Sequence, residues 1–261
     1  MLVTLNVRQA QTGTAEQLIE HDTGARTQGP VGKAGMAGGD VLQRCQIQRI
    51  LFGHYQALRA LGHLGEIACM RGEHSMALEY LNAAVVAAQS YRDSTRSLRV
   101  FNCLGIAQAM GNDPESALDT LEKSRHLIER EHVPSGMDAA TFHIDLATTH
   151  FMRGEYEAGL AVAWSGIKLA QAIGSKGHET GLYGLVGVLT AYQDSEGLSL
   201  AGEELLEGLT RRFIPVVRVT PEPFAHPLFF LAGARLALSR GQELKALALV
   251  TESLSSSLKV G

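Results

Sequence analysis

Residues 98–131 read LRVFNCLGIAQAMGNDPESALDTLEKSRHLIERE. Two stretches with apolar residues at three- and four-residue steps flank Gly111–Asn112–Asp113–Pro114. Asp113 suits an N-cap and Pro114 the first turn of a second helix. Gly105 in the first stretch and Ala117 in the second are both small, and Leu118 follows. Antiparallel helices joined by a short turn approach closely only where side chains are small. The stretch therefore predicts a helix pair closed on Gly105 and Ala117, with Leu118 filling the space beside it.

The same arrangement recurs on either side. Gly65 precedes Ala77–Leu78, Ala147 precedes Gly159–Leu160, Gly187 precedes Ser199–Leu200, and Ala234 precedes Ala246–Leu247, each by twelve positions. The leading small residues are spaced 40, 42, 40 and 47 apart. Self-similarity at such a period marks stacked helical repeats, each contacting its neighbours and together offering a long binding surface. Gly72, Gly111, Gly154 and Gly241 fall between paired helices, where helix C-termini favour a residue of positive φ.

At these positions the chain resembles the tetratricopeptide repeat family. Numbered in units of roughly 34 residues, the family's small positions 8 and 20 fall on the residues just named. Position 27, usually Ala, is Ala84, then Ser124, Gly166, Leu206 and Ser253. Position 11, usually Tyr, is Ala68, Gln108, His150, Thr190 and Ala237. The spacing is similar to the longer-helix variety of kinesin light chains and of bacterial signal-transduction ATPases and transcriptional regulators. The resemblance implies an all-α, right-handed α-solenoid of five helix pairs. Repeats are expected at 58–91, 98–131, 140–173, 180–213 and 227–260 within a domain spanning 40–261, entered through a lead-in helix with a break near Gly53.

Two stretches depart from the helical pattern. Within 1–39, six glycines fall between Gly24 and Gly39, which predicts a flexible tail that contributes little to the core. Phe213–Pro227 reads FIPVVRVTPEPFAHP and holds Pro215, Pro221, Pro223 and Pro227. It is expected to leave the helix at Phe213 and run extended along the array through Ile214, Val216, Val217 and Val219.

Bulk properties exclude several classes. The 261 residues are 45% apolar and 19% charged, ordinary globular values, with a formal net charge of −4. That balance argues against nucleic-acid binding through phosphate neutralisation. Cys45, Cys69 and Cys103 form no close pair and predict reduced thiols. Neither a membrane span nor a signal peptide is evident, so the expected location is cytoplasmic. Gly32–Lys33 is followed by Ala34 and lacks the spacing of a phosphate loop. His143 and His150 share a helical stripe near Asp145, seven residues apart and off the steps a zinc site wants, and are expected to be structural. No metal, no cofactor and no catalytic activity are expected.

Inner-surface positions 2, 5, 9, 12 and 13 of each first helix are what the resemblance implies for partner binding. The candidates there are Arg59, Glu66, Met70, Arg99, Asn102, Met110, Ile144, Thr148, Met152, Tyr192 and Arg235. Met at position 13 in three successive repeats suits an adaptable apolar wall. Gly62 and Glu66 stand where chaperone-binding members hold a carboxylate with Lys and Asn, so that clamp is absent. The expected function is non-enzymatic capture of a peptide or helix of a protein partner in the concave groove. The alternatives are a ligand-sensing regulatory module of a bacterial signalling or transcription system, and a scaffold that self-associates. The last helix, with Leu244, Leu247, Leu249 and Leu254, is the end repeat through which a homodimer would form.

Overall fold

The computed structural model describes residues 56–91, 94–131, 136–193, 197–219 and 226–258. Among them every regular element is an α-helix. The helices are α1 (56–70), α2 (His74–Tyr91), α3 (Ser94–Met110), α4 (Pro114–Glu131), α5 (Gly136–Arg153), α6 (Tyr156–Ala172), α7 (Lys176–Gln193), α8 (Leu200–Val217), α9 (His226–Ser239) and α10 (Glu243–Leu258). Each odd helix pairs with the even helix after it, and consecutive odd helices α3, α5, α7 and α9 also pack on one another. This is a solenoid of five helix pairs, with the odd helices forming one layer. The expected tail, lead-in helix and Gly53 break lie outside the described residues.

The close approach is as tight as the small residues predict, but the neighbour is one turn further on. A Cβ on Gly65 would sit 2.5 Å from Leu81 Cγ, and one on Gly105 2.7 Å from Leu121 Cγ. Ala77, Leu81, Ala117 and Leu121 are all completely buried. Gly159 sits under Leu189, and Gly166 faces the His143 Cβ. In the fourth pair the close approach at Gly187 is to Ala232 of the next repeat.

Five helix ends close in one way. The amide of Gly72 donates to Cys69 O (3.0 Å) and that of Glu73 to Ala68 O (2.9 Å), with Gly72 at φ +72°. The same pair of bonds recurs at Asn112, Gly154, Gly174 and Gly241. In the second repeat the positive φ belongs to Asn112 (67°) and not to the expected Gly111. The closing residue keeps the repeat interval, 40 beyond Gly72, and asparagine tolerates the left-handed region. Asp113 then caps α4, its Oδ1 accepting from Ser116 N at 3.1 Å.

The expectation that the chain leaves the helix at Phe213 fails. Helix α8 continues to Val217 with Pro215 inside it. Pro215 removes the bond to the Arg211 carbonyl, but both residues are exposed, so water reaches that carbonyl. Staying helical buries Phe213 and Val217, each contributing about 1.5–3 kcal/mol, enough together to offset a proline cost of about 3 kcal/mol. Phe213 stacks on Phe229 of α9 (centroids 4.8 Å apart) and meets Tyr183 of α7 at 5.2 Å. Arg218, just past the helix, makes two hydrogen bonds to Glu252 of α10, 2.8 and 3.0 Å long. Residues 220–225 lie outside the described residues.

Glycine at a contact and glycine facing open space should respond in opposite directions. Gly105→Leu must displace Leu121 and should destabilise by about 1–3 kcal/mol or more. Gly208, in α8, has nothing within 4 Å of an added Cβ, so Gly208→Ala should stabilise by up to about 1 kcal/mol. Urea unfolding midpoints check both. Equal midpoints for the two variants would contradict this helix register.

Candidate functional site

The odd-helix layer carries two neighbouring features. At its N-terminal end, α1 and α3 enclose a cavity of about 210 Å³ lined by Leu58, Arg59, Gly62, His63, Glu66, Arg96, Arg99, Val100 and Cys103. Among the described residues its lining holds three arginines, one histidine and one carboxylate. Glu66 ties the two helices together: Arg99 Nε and Cys103 Sγ each donate to its Oε1 at 3.2 Å, and His63 Nδ1 lies 3.2 Å from its Oε2. Burial alone would raise the Glu66 carboxyl, but the Cys103 hydrogen bond and the Arg99 charge prevail and hold it below its usual range. The Cys103 thiol is pushed well up, first by burial and then by the Glu66 charge.

The second feature is a row of exposed side chains at the C-terminal ends of the same helices. Met70, Met110, Met152 and Tyr192 are 70%, 46%, 43% and 47% exposed. Met110 Sδ lies 3.7 Å from Cys69 Sγ. Tyr192 packs edge-on to Phe151 (5.4 Å) and leans on Tyr156 (6.4 Å), so its ring is held while one face stays open.

Other expected site residues have structural duties. Asn102 is buried at 1% exposure, and its Nδ2 donates to Asp138 O at 3.0 Å, joining α3 to the start of α5. Arg235 Nε donates to Ala191 O at 3.1 Å and so ties α9 to α7. Ile144 is half-buried against the main core. Thr148 turns its hydroxyl back onto Ile144 O at 2.8 Å. Of the expected residues, Arg59, Glu66 and Arg99 meet in the cavity, while the three methionines and Tyr192 form the exposed row. His63, Arg96 and Tyr156 were missed. His63 stands four residues after Arg59, and Arg96 three before Arg99, spacings that place each beside its partner on one helix face.

The histidines are engaged as structural groups. His143 Nδ1 donates to Ala139 O (2.7 Å), with burial lowering the imidazole below its usual range, and His150 Nδ1 pairs with Glu155 Oε2 (2.8 Å). Among the described residues no three His, Cys, Asp or Glu side chains converge as a metal site, and no helix is long and apolar enough to cross a membrane. Cys69 and Cys103 are free thiols, and Cys45 lies outside the described residues.

Residues 56–130 match the tetratricopeptide repeat family. That segment carries tetratricopeptide repeats. The same helix pair continues through to residue 258. Similar solved structures are the nearly identical TPR-like repeats of a Podosopora anserina chain assigned as a kinesin light chain, and its Q17M variant. Each is 16% identical, covers 77% of this chain and 95% of its own, and superposes with a TM-score of 0.54. At that identity the likeness concerns the fold. No curated protein matches the chain. Tetratricopeptide repeats are in general protein–protein interaction modules, and residues 56–130 match such repeats.

Asp145 lies in the same layer of the repeat array. It is only 7% exposed, and burial pushes its carboxyl well above the usual range. Its charge reaches Cys69 and Cys103, raising both thiols further. A raised folded pKa means that the folded chain holds the proton longer, so Asp145 makes stability fall as pH rises above about 3.9 toward its folded pKa. Asp145→Asn should therefore raise the melting temperature at neutral pH and flatten that part of the stability–pH profile. A lower melting temperature for the variant at neutral pH would contradict the buried, uncompensated carboxyl.

Proposed function

We propose that the odd-helix layer binds a segment of a partner protein bearing acidic side chains beside large apolar ones. An acidic side chain enters the cavity among Arg59, Arg96 and Arg99, and apolar side chains lie along Met110, Met152 and Tyr192. The observation that carries this is the basic cavity set on the same layer as an exposed apolar row. Guanidinium groups hold carboxylates through paired, charge-assisted hydrogen bonds. Methionine adapts its shape to whatever apolar group meets it.

The size of the cavity favours a side chain over a free metabolite. Its 210 Å³ falls below the roughly 300 Å³ at which small-molecule sites begin. A ligand-sensing role would need a larger enclosure. The apolar row, by contrast, extends over four repeats and matches the length of a peptide.

Selection of displayed random peptides on the intact chain tests this. Enriched sequences should pair Asp or Glu with large apolar residues. Met110→Glu with Met152→Glu should weaken their binding by about tenfold or more, with helical circular dichroism unchanged. Arg96→Glu with Arg99→Glu should also weaken binding and remove most of its salt dependence. Unchanged affinity in both folded variants would overturn the proposal.

A further inference from the structure

The three methionines of the exposed row carry a reactive atom that apolar contact does not use. Met70, Met110 and Met152 stand 40 and 42 residues apart, at the ends of three successive odd helices. None of them belongs to the core clusters, and all three are exposed. An oxidant therefore meets these thioether sulfurs in the folded chain, and what happens there is separable from the fold. The two thiols among the described residues compete poorly. Peroxides react with the thiolate, and burial raises both Cys69 and Cys103 above the usual thiol range. Cys69 is also 8% exposed and donates its hydrogen to Met110 Sδ at 3.7 Å. A thioether needs no deprotonation before it reacts.

Oxidation reverses the property that suits the row to apolar side chains. A peroxide transfers one oxygen: the sulfur lone pair forms the S–O bond and the O–O bond breaks. The departing hydroxide takes the proton of the transferred oxygen and leaves as water. Sulfur loses two electrons and the peroxide gains them. The sulfoxide puts a strong hydrogen-bond acceptor on what had been an adaptable apolar chain. An apolar group laid on it buries that oxygen without a donor, which opposes binding. With one such sulfur in each of three successive repeats, the losses add along a single bound segment. We propose that Met70, Met110 and Met152 form an oxidative modification site, at which a peroxide turns the row polar and releases the partner. Reduction by a dithiol-dependent methionine sulfoxide reductase returns each oxygen as water and restores the row. The inference rests on the reading of the row as a partner-binding surface.

Treatment of the intact chain with dilute hydrogen peroxide tests this, read by peptide mass spectrometry and by binding of the most enriched displayed peptide. Oxygen should appear at Met70, Met110 and Met152. Affinity should fall about tenfold or more, helical circular dichroism should hold, and reductase with dithiothreitol should restore binding. Met76 and Met137, 44% and 61% exposed, serve as internal controls. They lie on α2 and at the opposite end of α5 from Met152. Both should oxidise as well, so Met76→Leu with Met137→Leu should leave the loss of affinity at its full size. Met70→Leu with Met110→Leu and Met152→Leu should bind equally before and after peroxide. Bound peptide should slow oxidation at Met110 and Met152 but not at Met76 and Met137. A peptide that binds the untreated chain and keeps its affinity once the row is fully oxidised would overturn the proposal and leave the binding surface standing. A triple variant as sensitive as the unsubstituted chain would also overturn it, as would loss of helical content on oxidation. Failure to enrich any peptide would remove the binding reading and this proposal with it.

Discussion

The array depends on how closely two helices of a pair can approach. At Gly65 and Gly105 the helix backbone lies under a buried leucine with less room than a methyl group would need. Those leucines, Leu81 and Leu121, are completely sealed from water. Each therefore contributes a full side-chain burial while touching backbone, an arrangement that any larger residue at the glycine would prevent. The contact recurs in the first two pairs and sets how closely their helices approach, whereas Gly159 and Gly187 make their close contacts with Leu189 and Ala232 of the following repeat.

A second constraint is the way the helices end. Two backbone bonds around a residue of positive φ close α1, α3, α5, α6 and α9. They satisfy carbonyls that a helix end otherwise leaves open. With the turn fixed, α1, α3 and α5 end alike, and Met70, Met110 and Met152 stand exposed at those three ends. The core beneath is uneven. One cluster runs from Ala147 to Leu249 and includes Phe213, Phe229 and Phe230, whereas the first two repeats rest on small clusters of alanine, leucine and valine. The basic cavity lies in this lighter end, where Glu66 bridges to Arg99 and Cys103 across the helix interface. In the heavier part, α10 is anchored by Arg218 and Glu252.

By itself the sequence determined the helix pairs, their number among the described residues and their repeat interval. A small residue at a backbone contact has no substitute, so the pattern survives where other family positions drift. It also put Met70, Met110, Met152 and Tyr192 at the same repeat position near the C-terminal ends of four odd helices, and each is exposed there. Local chemistry misled at Gly111 and Pro215. Glycine was the better candidate for a positive φ, yet the repeat interval assigns that conformation to Asn112. Proline was expected to end the helix, yet the burial of Phe213 and Val217 across the interface outweighs one lost hydrogen bond that faces water. Only the tertiary structure decided that Asn102 and Arg235 join neighbouring repeats, that His63 and Arg96 line a cavity with Arg59 and Arg99, and that Asp145 is buried with no countercharge among the described residues. Each of these depends on which side chains from different helices share a space, and that is set by how the repeats stack, which the spacing of residues along one chain does not encode.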